Sequence, residues 1–311
     1  MIKAIGYRAA QALIVAALIG VLTFLMMRAL PGDIAFRIAA GRYGYDAVNA
    51  AAAEAVRQEL NLDQSALAAF FQWFGDLLRL DFGRSVISGR PVVEEIRHQL
   101  GASLQLAGAA LAISLFIGPP LGVLAGLRAG GWLDRSLLVV STALRSVPQF
   151  MLGLLLIVIV SIQLRWLPPA GYGQVAHFIL PATTLALGLA AVSARVARDA
   201  MAGVASSSYY AFGRWKGLDE GQVFRRHGLR NIGVPLVTFI GLQLVMLVEG
   251  VVVIESIFAW PGIGHALVHA IFGRDVPMVQ ATALMLGIGF VALNALVDLL
   301  THWIDPRGAQ R

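Results

Sequence analysis

The sequence predicts an all-α polytopic membrane protein of six spanning helices, and three observations carry that expectation. Hydrophobic residues make up 58% of the chain and charged residues only 14%, with a mean hydropathy of +0.74. A soluble domain is about a quarter charged, so this surface cannot all face water. Six stretches reach the roughly 20 apolar residues that a bilayer crossing needs. The basic residues fall in the connections between those stretches. A net charge of +6 would suggest nucleic acid in a soluble protein, but arginines scattered through loops form no single basic face, so no nucleic-acid partner is expected. The chain has no cysteine, which excludes disulfides, thiolate metal sites and a cysteine nucleophile.

The first span is 9–30, interrupted only near its end by Arg28. Its length, and the lack of an obvious small-residue cleavage site, favour a retained anchor over a removed signal peptide. Residues 31–100 come next as a segment outside the bilayer, where amphipathic pieces at 51–60 and 66–80 alternate with turns at Pro31-Gly32 and Gly89-Arg90-Pro91. This segment reads as a small helical cap belonging to the same single domain, 1–311. The remaining spans are 101–127, 136–164 (carrying Arg145), 166–194 (containing Pro181), 231–254 (carrying Glu249) and 276–297.

Six spans put both termini on one side. The face bearing Lys3, Arg8, Arg128, Arg135, the run 195–230, Arg307 and Arg311 holds 13 basic residues, against Arg165 and Arg274 in the two short opposite loops. Positive charge stays in the cytoplasm, so both termini are expected there, with membrane lipid around the spans.

The cytoplasmic loop 195–230 is the most informative part of the chain. Serines 206–208 supply an N-cap, 209–216 can form about two helical turns, and Gly217 suits the left-handed position that ends a helix. Asp219 and Gln222 can form the capping box of the next helix. Tyr209, Tyr210, Phe212 and Trp215, with Arg214 and Lys216, make the short helix an aromatic knob. Such a knob suits a protein partner, and the alternative is a helix lying in the lipid interface. Lys216 and Lys3 are the only lysines and neither sits in a phosphate-binding loop, so the chain is not itself an ATPase. No catalytic residue and no cofactor is expected.

Arg195-Val-Ala-Arg198, Met201, Tyr209, Arg214-x-Lys216-Gly217-Leu218 and His227-x-Leu-Arg-Asn231-x3-Pro235 resemble the coupling loop of peptide and nickel importer permeases. The resemblance runs the length of the chain: Leu30-Pro31-Gly32-Asp33, Leu62-Asp63, Leu80-Asp81-Phe82-Gly83-x-Ser85, Gly89-Arg90-Pro91-Val92, Trp132-Leu133-Asp134-Arg135, Pro148-x-Phe150, Trp166-Leu167-Pro168, Ala170-Gly171-Tyr172-Gly173, Glu255-x2-Phe258-Ala259-Trp260-Pro261-Gly262-x-Gly264 and Asp305-Pro306-Arg307. It implies the transmembrane subunit of a type I ABC importer in a bacterial inner membrane. It implies, too, a sister permease, two cytoplasmic ATP-binding subunits and an extracytoplasmic solute-binding protein. The short helix would dock in a cleft of one ATPase, and ATPase closure would drive alternating access. Ser208 stands where that family more often has an acid and Gly213 where it has alanine. The glycine costs helix stability of about 1 kcal/mol.

Several side chains have two readings. Glu249, inside a span, either faces the solute path and attracts a cationic or metal-bearing solute, or packs in the bundle, protonated or paired with Arg145. Glu255 matches a family position and reads as structural. His265 and His269 share a helical face on the outer side but make a weak metal site without a third ligand, so no metal is expected there. His227 reads as structural, and His98, His177 and His302 as boundary residues. Pro119, Pro120, Pro148, Pro181 and Pro235 are expected to interrupt spans, with Pro148, Gln149 and Phe150 lining the route. A membrane enzyme and an ion-coupled transporter are the rival functions. The first lacks paired buried acids and an HExxH motif, the second inverted repeats and paired intramembrane charges. For the solute, the loops at 166–177 and 270–275 lean to a nickel or metal chelate, with a short peptide as runner-up and glutathione or an opine also within the family's range.

Overall fold

The structure, a computed structural model, describes residues 2–304 except Tyr45, Ala47, Asn61 and Asp63. Asp305, Pro306, Arg307 and Arg311 lie outside the described residues with Asp63, as do the side chains of Lys3, Arg230, Glu249 and His302. Helices α1 (Ile2–Ala29), α2 (Ile34–Tyr43), α3 (Ala50–Glu59), α4 (Ala66–Leu78) and α5 (Val92–Leu127) are followed by α6 (Trp132–Ser146), α7 (Gln149–Leu156) and α8 (Val175–Ala205). After them come α9 (Ser208–Trp215), α10 (Glu220–Val223), α11 (Leu229–Ile257), α12 (Ile263–Gly273) and α13 (Val276–Ile304). No strand occurs among the described residues. Five helices are long and apolar enough to cross a membrane, and a sixth crossing results if α6 and the stretch from Gln149 to Gln163, bent by 100° at Val147–Pro148, form one span.

Three of the sequence expectations change here, the first being the span expected over 166–194, whose helix α8 begins only at Val175. The second span does not begin at residue 101, because α5 runs unbroken from Val92. The prolines, too, differ among themselves. Pro119, Pro120, Pro181 and Pro235 sit inside continuous helices, and only Pro148 breaks its span. Its ring forces the preceding residue out of the α region, and Val147 is extended accordingly, at φ −94° and ψ 125°.

The chain divides into two compact units, Met1–Ser103 with Pro261–Ala292, and Leu104–Trp260 with Leu293–Arg311. In the first unit, Asp33, Asn49 and Ser65 each accept a hydrogen bond from a backbone N–H at the start of α2, α3 and α4, closing donors that a helix start leaves open. Ala35, Ile38 and Ala39 of α2 bury against Ala53 and Val56 of α3, and Arg42 pairs with Glu59 at 2.6 Å, which lowers the Glu59 pKa. A second core gathers Met27, Val92, Ile96, Ile263, Ala270, Met278 and Val279. Arg274, which the sequence places simply in an outer loop, is buried, and its guanidinium donates to the carbonyls of Met27, Leu30 and Pro31. A cation on the open carbonyls of a helix C-terminus also meets the negative end of its dipole. Asp275 beside it accepts from the Ser85 hydroxyl.

In the second unit α5 approaches α8 along Gly118, Gly122 and Gly126. A Cβ built on these glycines would meet the backbone oxygens of Ala190 at 2.8 Å, Ala194 at 2.1 Å and Arg198 at 2.5 Å. Only glycine permits backbones this close, the small-residue packing that membrane helices use where lipid gives no hydrophobic drive to associate.

Candidate functional site

The loop that the sequence singles out folds as a short helix between two turns. α9 runs from Ser208 to Trp215, one residue earlier at each end than the expected 209–216. Ser207 occupies the N-cap position, but its hydroxyl donates back to the Val204 carbonyl at 2.5 Å and does not cap α9. The open carbonyls of the last turn of α8 outcompete the cap. At the other end Gly217 has φ +83°. The Leu218 N–H reaches the Gly213 carbonyl at 3.4 Å and the Gly217 N–H that of Arg214 at 2.9 Å, the paired closure typical of a glycine after a helix. Asp219 then caps the next turn through the Gln222 N–H at 2.8 Å.

The four aromatics do not form a uniform knob. Tyr210 is fully buried, in a core with Met201, Val204, Val223 and Ile232, and this corrects its expected place on the exposed surface. Burial raises its pKa. Gly213, one turn on, lies against Val223, whose methyl carbons would stand 3.3 Å from an added Cβ. With Tyr210 and Gly213 turned inward, helical spacing sends Tyr209, Phe212 and Trp215 outward, Trp215 being 84% exposed. Arg214 stacks over the Tyr210 ring and pairs with Glu220, and the Lys216 ammonium lies 4.6 Å from the centre of the Phe212 ring. The result is a buried inner face and a basic, aromatic outer one.

Two motifs read separately in the sequence meet between α6 and α8. Asp134, at the start of α6, accepts from both Nε and Nη2 of Arg198 on α8 at 2.6 Å each, and from the Gly130 N–H at 2.7 Å. Asp134 is 2% exposed. The bidentate fork makes this a well-directed ion pair, tying the α6 start to the helix that leads into α9.

Further along, a cavity of about 300 Å³ is lined by Arg145, Pro148 and Gln149 at the α6–α7 break, Gly188 and Leu189 of α8, and Gln243 of α11, among others. Two expected path residues, Pro148 and Gln149, thus line one space, while Phe150 does not. Glu249 lies on α11, but its side chain is outside the described residues. Arg145 is exposed. Gln243 is a residue that the reading by formal charge passed over. It is 1% exposed, and its Nε2 donates to the Leu189 carbonyl at 2.6 Å. A polar side chain inside an apolar span was the signal available.

In the first unit, His265 and His269 stand with ring centres 4.4 Å apart and line a separate cavity with Glu95 and Gln99. Burial, and secondarily His269, lower the His265 pKa. No group of three metal-ligating side chains occurs among the described residues.

Residues 118–309 match the family described as the binding-protein-dependent transport system inner membrane component. The chain belongs to that family. It is 39% identical over 308 residues to a peptide transport system permease protein of Brucella abortus, covering 96% of both chains. It is also 39% identical over 286 residues to the glutathione transport system permease protein GsiC of Pectobacterium atrosepticum, covering 92% of both. Its fold resembles that of the MetNI methionine ABC transporter in inward-facing conformations, with a TM-score of 0.59 and 18% identity over 69% of this chain and 98% of the other. An amino acid ABC transporter solved with histidines gives a TM-score of 0.54 at 16% identity, over 68% and 94% of the two chains. This inner-membrane component is therefore a permease subunit of an ABC importer, all-α and multi-pass. Family membership sets aside the rival readings of an ion-coupled transporter or a membrane enzyme.

Proposed function

We propose that this permease carries short peptides, glutathione-like tripeptides among them, across the inner membrane as one partner of a two-permease pore. The whole chain acts as a single transmembrane domain with both termini in the cytoplasm, where its basic residues lie. Two ATP-binding subunits engage from below, and an extracytoplasmic binding protein delivers solute from above. Tyr209, Phe212, Trp215 and the Arg214–Gly217 turn form the surface that seats in an ATPase cleft, with Tyr210 holding the helix from within. ATPase closure moves α9, and the buried Tyr210 core together with the Asp134–Arg198 pair passes that motion to α8 and α6. The bundle then alternates between inward-open and outward-open, and solute passes the Pro148–Gln149 break, with Glu249 a further candidate on the route.

One observation carries the coupling part of this reading: a short helix packed into a core on one face leaves three large aromatics uncovered on the other. Such a face suits a protein cleft, since buried aromatic anchors dominate interface energetics. The peptide assignment is supported by the named relatives, whereas the lean to nickel rests on two loop sequences alone. Affinity purification of the chain from its native membrane is expected to bring down a second permease and ATP-binding subunits, and loss of the chain is expected to abolish dipeptide uptake. A chain that purifies alone, with uptake unchanged on its loss, would contradict the proposal.

A further inference from the structure

The cavity at the α6–α7 break is lined by a residue whose side-chain acceptor the protein leaves unused. The Leu189 carbonyl can only accept, so the Gln243 amide must present its nitrogen there, as the 2.6 Å bond shows. Its Oε1 is thereby turned away, buried and without a hydrogen-bond partner. An unmet buried acceptor is unfavourable, and because Gln243 lines the cavity, a small movement of its side chain brings this oxygen within reach of a ligand N–H.

The rest of the lining complements it. Arg145 brings a permanent cation to the same space. α7 starts in the wall, and Pro148 before its first turn supplies no side-chain cap, so the N–H groups of that turn present the positive end of a helix. The Gln149 amide lies between two glycines: an added Cβ on Gly188 would stand 3.3 Å from its Nε2, and one on Gly250 2.6 Å from its Oε1. Those glycines leave room for the Gln149 amide beside a largely apolar wall that includes Leu152, Val192 and Phe239. At about 300 Å³ the space is at the small end of ligand pockets, of a size for the end of a short peptide.

We propose that this cavity is a transient subsite for the C-terminal end of a peptide, with Arg145 and the start of α7 taking the carboxylate and Gln243 Oε1 accepting the adjoining peptide N–H. The carboxylate and the last N–H of any peptide sit on one residue, so the pattern is independent of side chains. This inference rests on the reading of the chain as a peptide importer permease and names what that path recognises.

The test uses the assembled importer and two probes, alanyl-alanine and its C-terminal amide. In cells, Arg145→Gln is expected to lower maximal alanyl-alanine uptake about tenfold, the order of one charged hydrogen bond. The half-saturating concentration, set by the binding protein, should stay put, and Arg145→Lys should restore part of the loss. With the full chain in lipid nanodiscs, saturation-transfer NMR is expected to show the acid binding about tenfold better than the amide. Arg145→Gln should erase that preference, and Gln243→Leu should weaken both probes. Arg145 is exposed, so its replacement leaves the fold intact. Normal uptake by Arg145→Gln, or equal binding of acid and amide by the unaltered chain, would overturn the subsite while leaving the importer reading standing. Absence of any peptide uptake by the unaltered importer would overturn both.

Discussion

Asp134 and Arg198 lie 64 residues apart and meet in a nearly buried, bidentate pair whose loss would strand a carboxylate. Breaking such a pair from one side costs about 3 kcal/mol, because the charge left behind is desolvated and unmatched. Arg198→Ala is therefore expected to lower the thermal unfolding midpoint of the detergent-solubilised protein clearly, whereas Arg195→Ala, on an exposed side chain nearby, should shift stability by no more than about 0.5 kcal/mol. Equal midpoints for the two variants would show that the pair does not hold α6 to α8. Both residues were visible in the sequence as parts of short motifs, but nothing in either motif says that the two touch. Tyr210 teaches the same lesson on a smaller scale. Four aromatics on two helical turns look alike in sequence, and which one turns inward is decided by Met201, Val223 and Ile232, which lie on other helices. Gln243 was legible in principle, as an amide within an apolar run, but a search by formal charge does not see it.

At the level of elements, apolar length found five spans as long helices, the stretch 136–164 only as a pair of helices bent by 100°, and the boundaries less well. The outer segment 31–100 was expected to end where α5 in fact has already begun, because the charged turns at Glu94, Glu95 and Arg97 hide a continuous helix from a hydropathy reading. Proline, too, is a weak guide inside a membrane. Four of the five named prolines are accommodated within helices, and only Pro148, where Val147 turns extended, makes the break that frames the cavity. The α5–α8 contact gives a sharper expectation. Gly122 stands where a Cβ would lie 2.1 Å from a backbone oxygen, which has no side chain to swing aside. Gly108, on the same helix, has open space. Gly122→Ala is expected to reduce the yield of folded protein from membranes strongly. Gly108→Ala should be neutral or stabilising by up to about 1 kcal/mol, the helix preference of alanine over glycine. Matching yields for the two would show that α5 and α8 do not pack through these glycines.

For the whole molecule, the proposed mechanism makes a helix of eight residues transmit the work of ATP hydrolysis to a bundle of membrane spans. Folding and coupling are then separable. Insertion of the spans depends on their hydrophobicity and not on α9, so damage confined to α9 should leave the permease in the membrane and disconnect it. Gly217 is the most direct probe: at φ +83° a β-branched side chain is strongly disfavoured, and space around it is open, so valine there disturbs the helix end without a clash in the core. The deciding measurement is peptide uptake, together with the amount of ATP-binding subunit co-purified, in one strain carrying Gly217→Val. Normal permease levels, weakened ATPase association and uptake near background are expected, with Trp215→Ala showing a milder form of the same loss. Full uptake by Gly217→Val at unaltered ATPase stoichiometry would contradict the coupling role of α9 and put the coupling surface elsewhere.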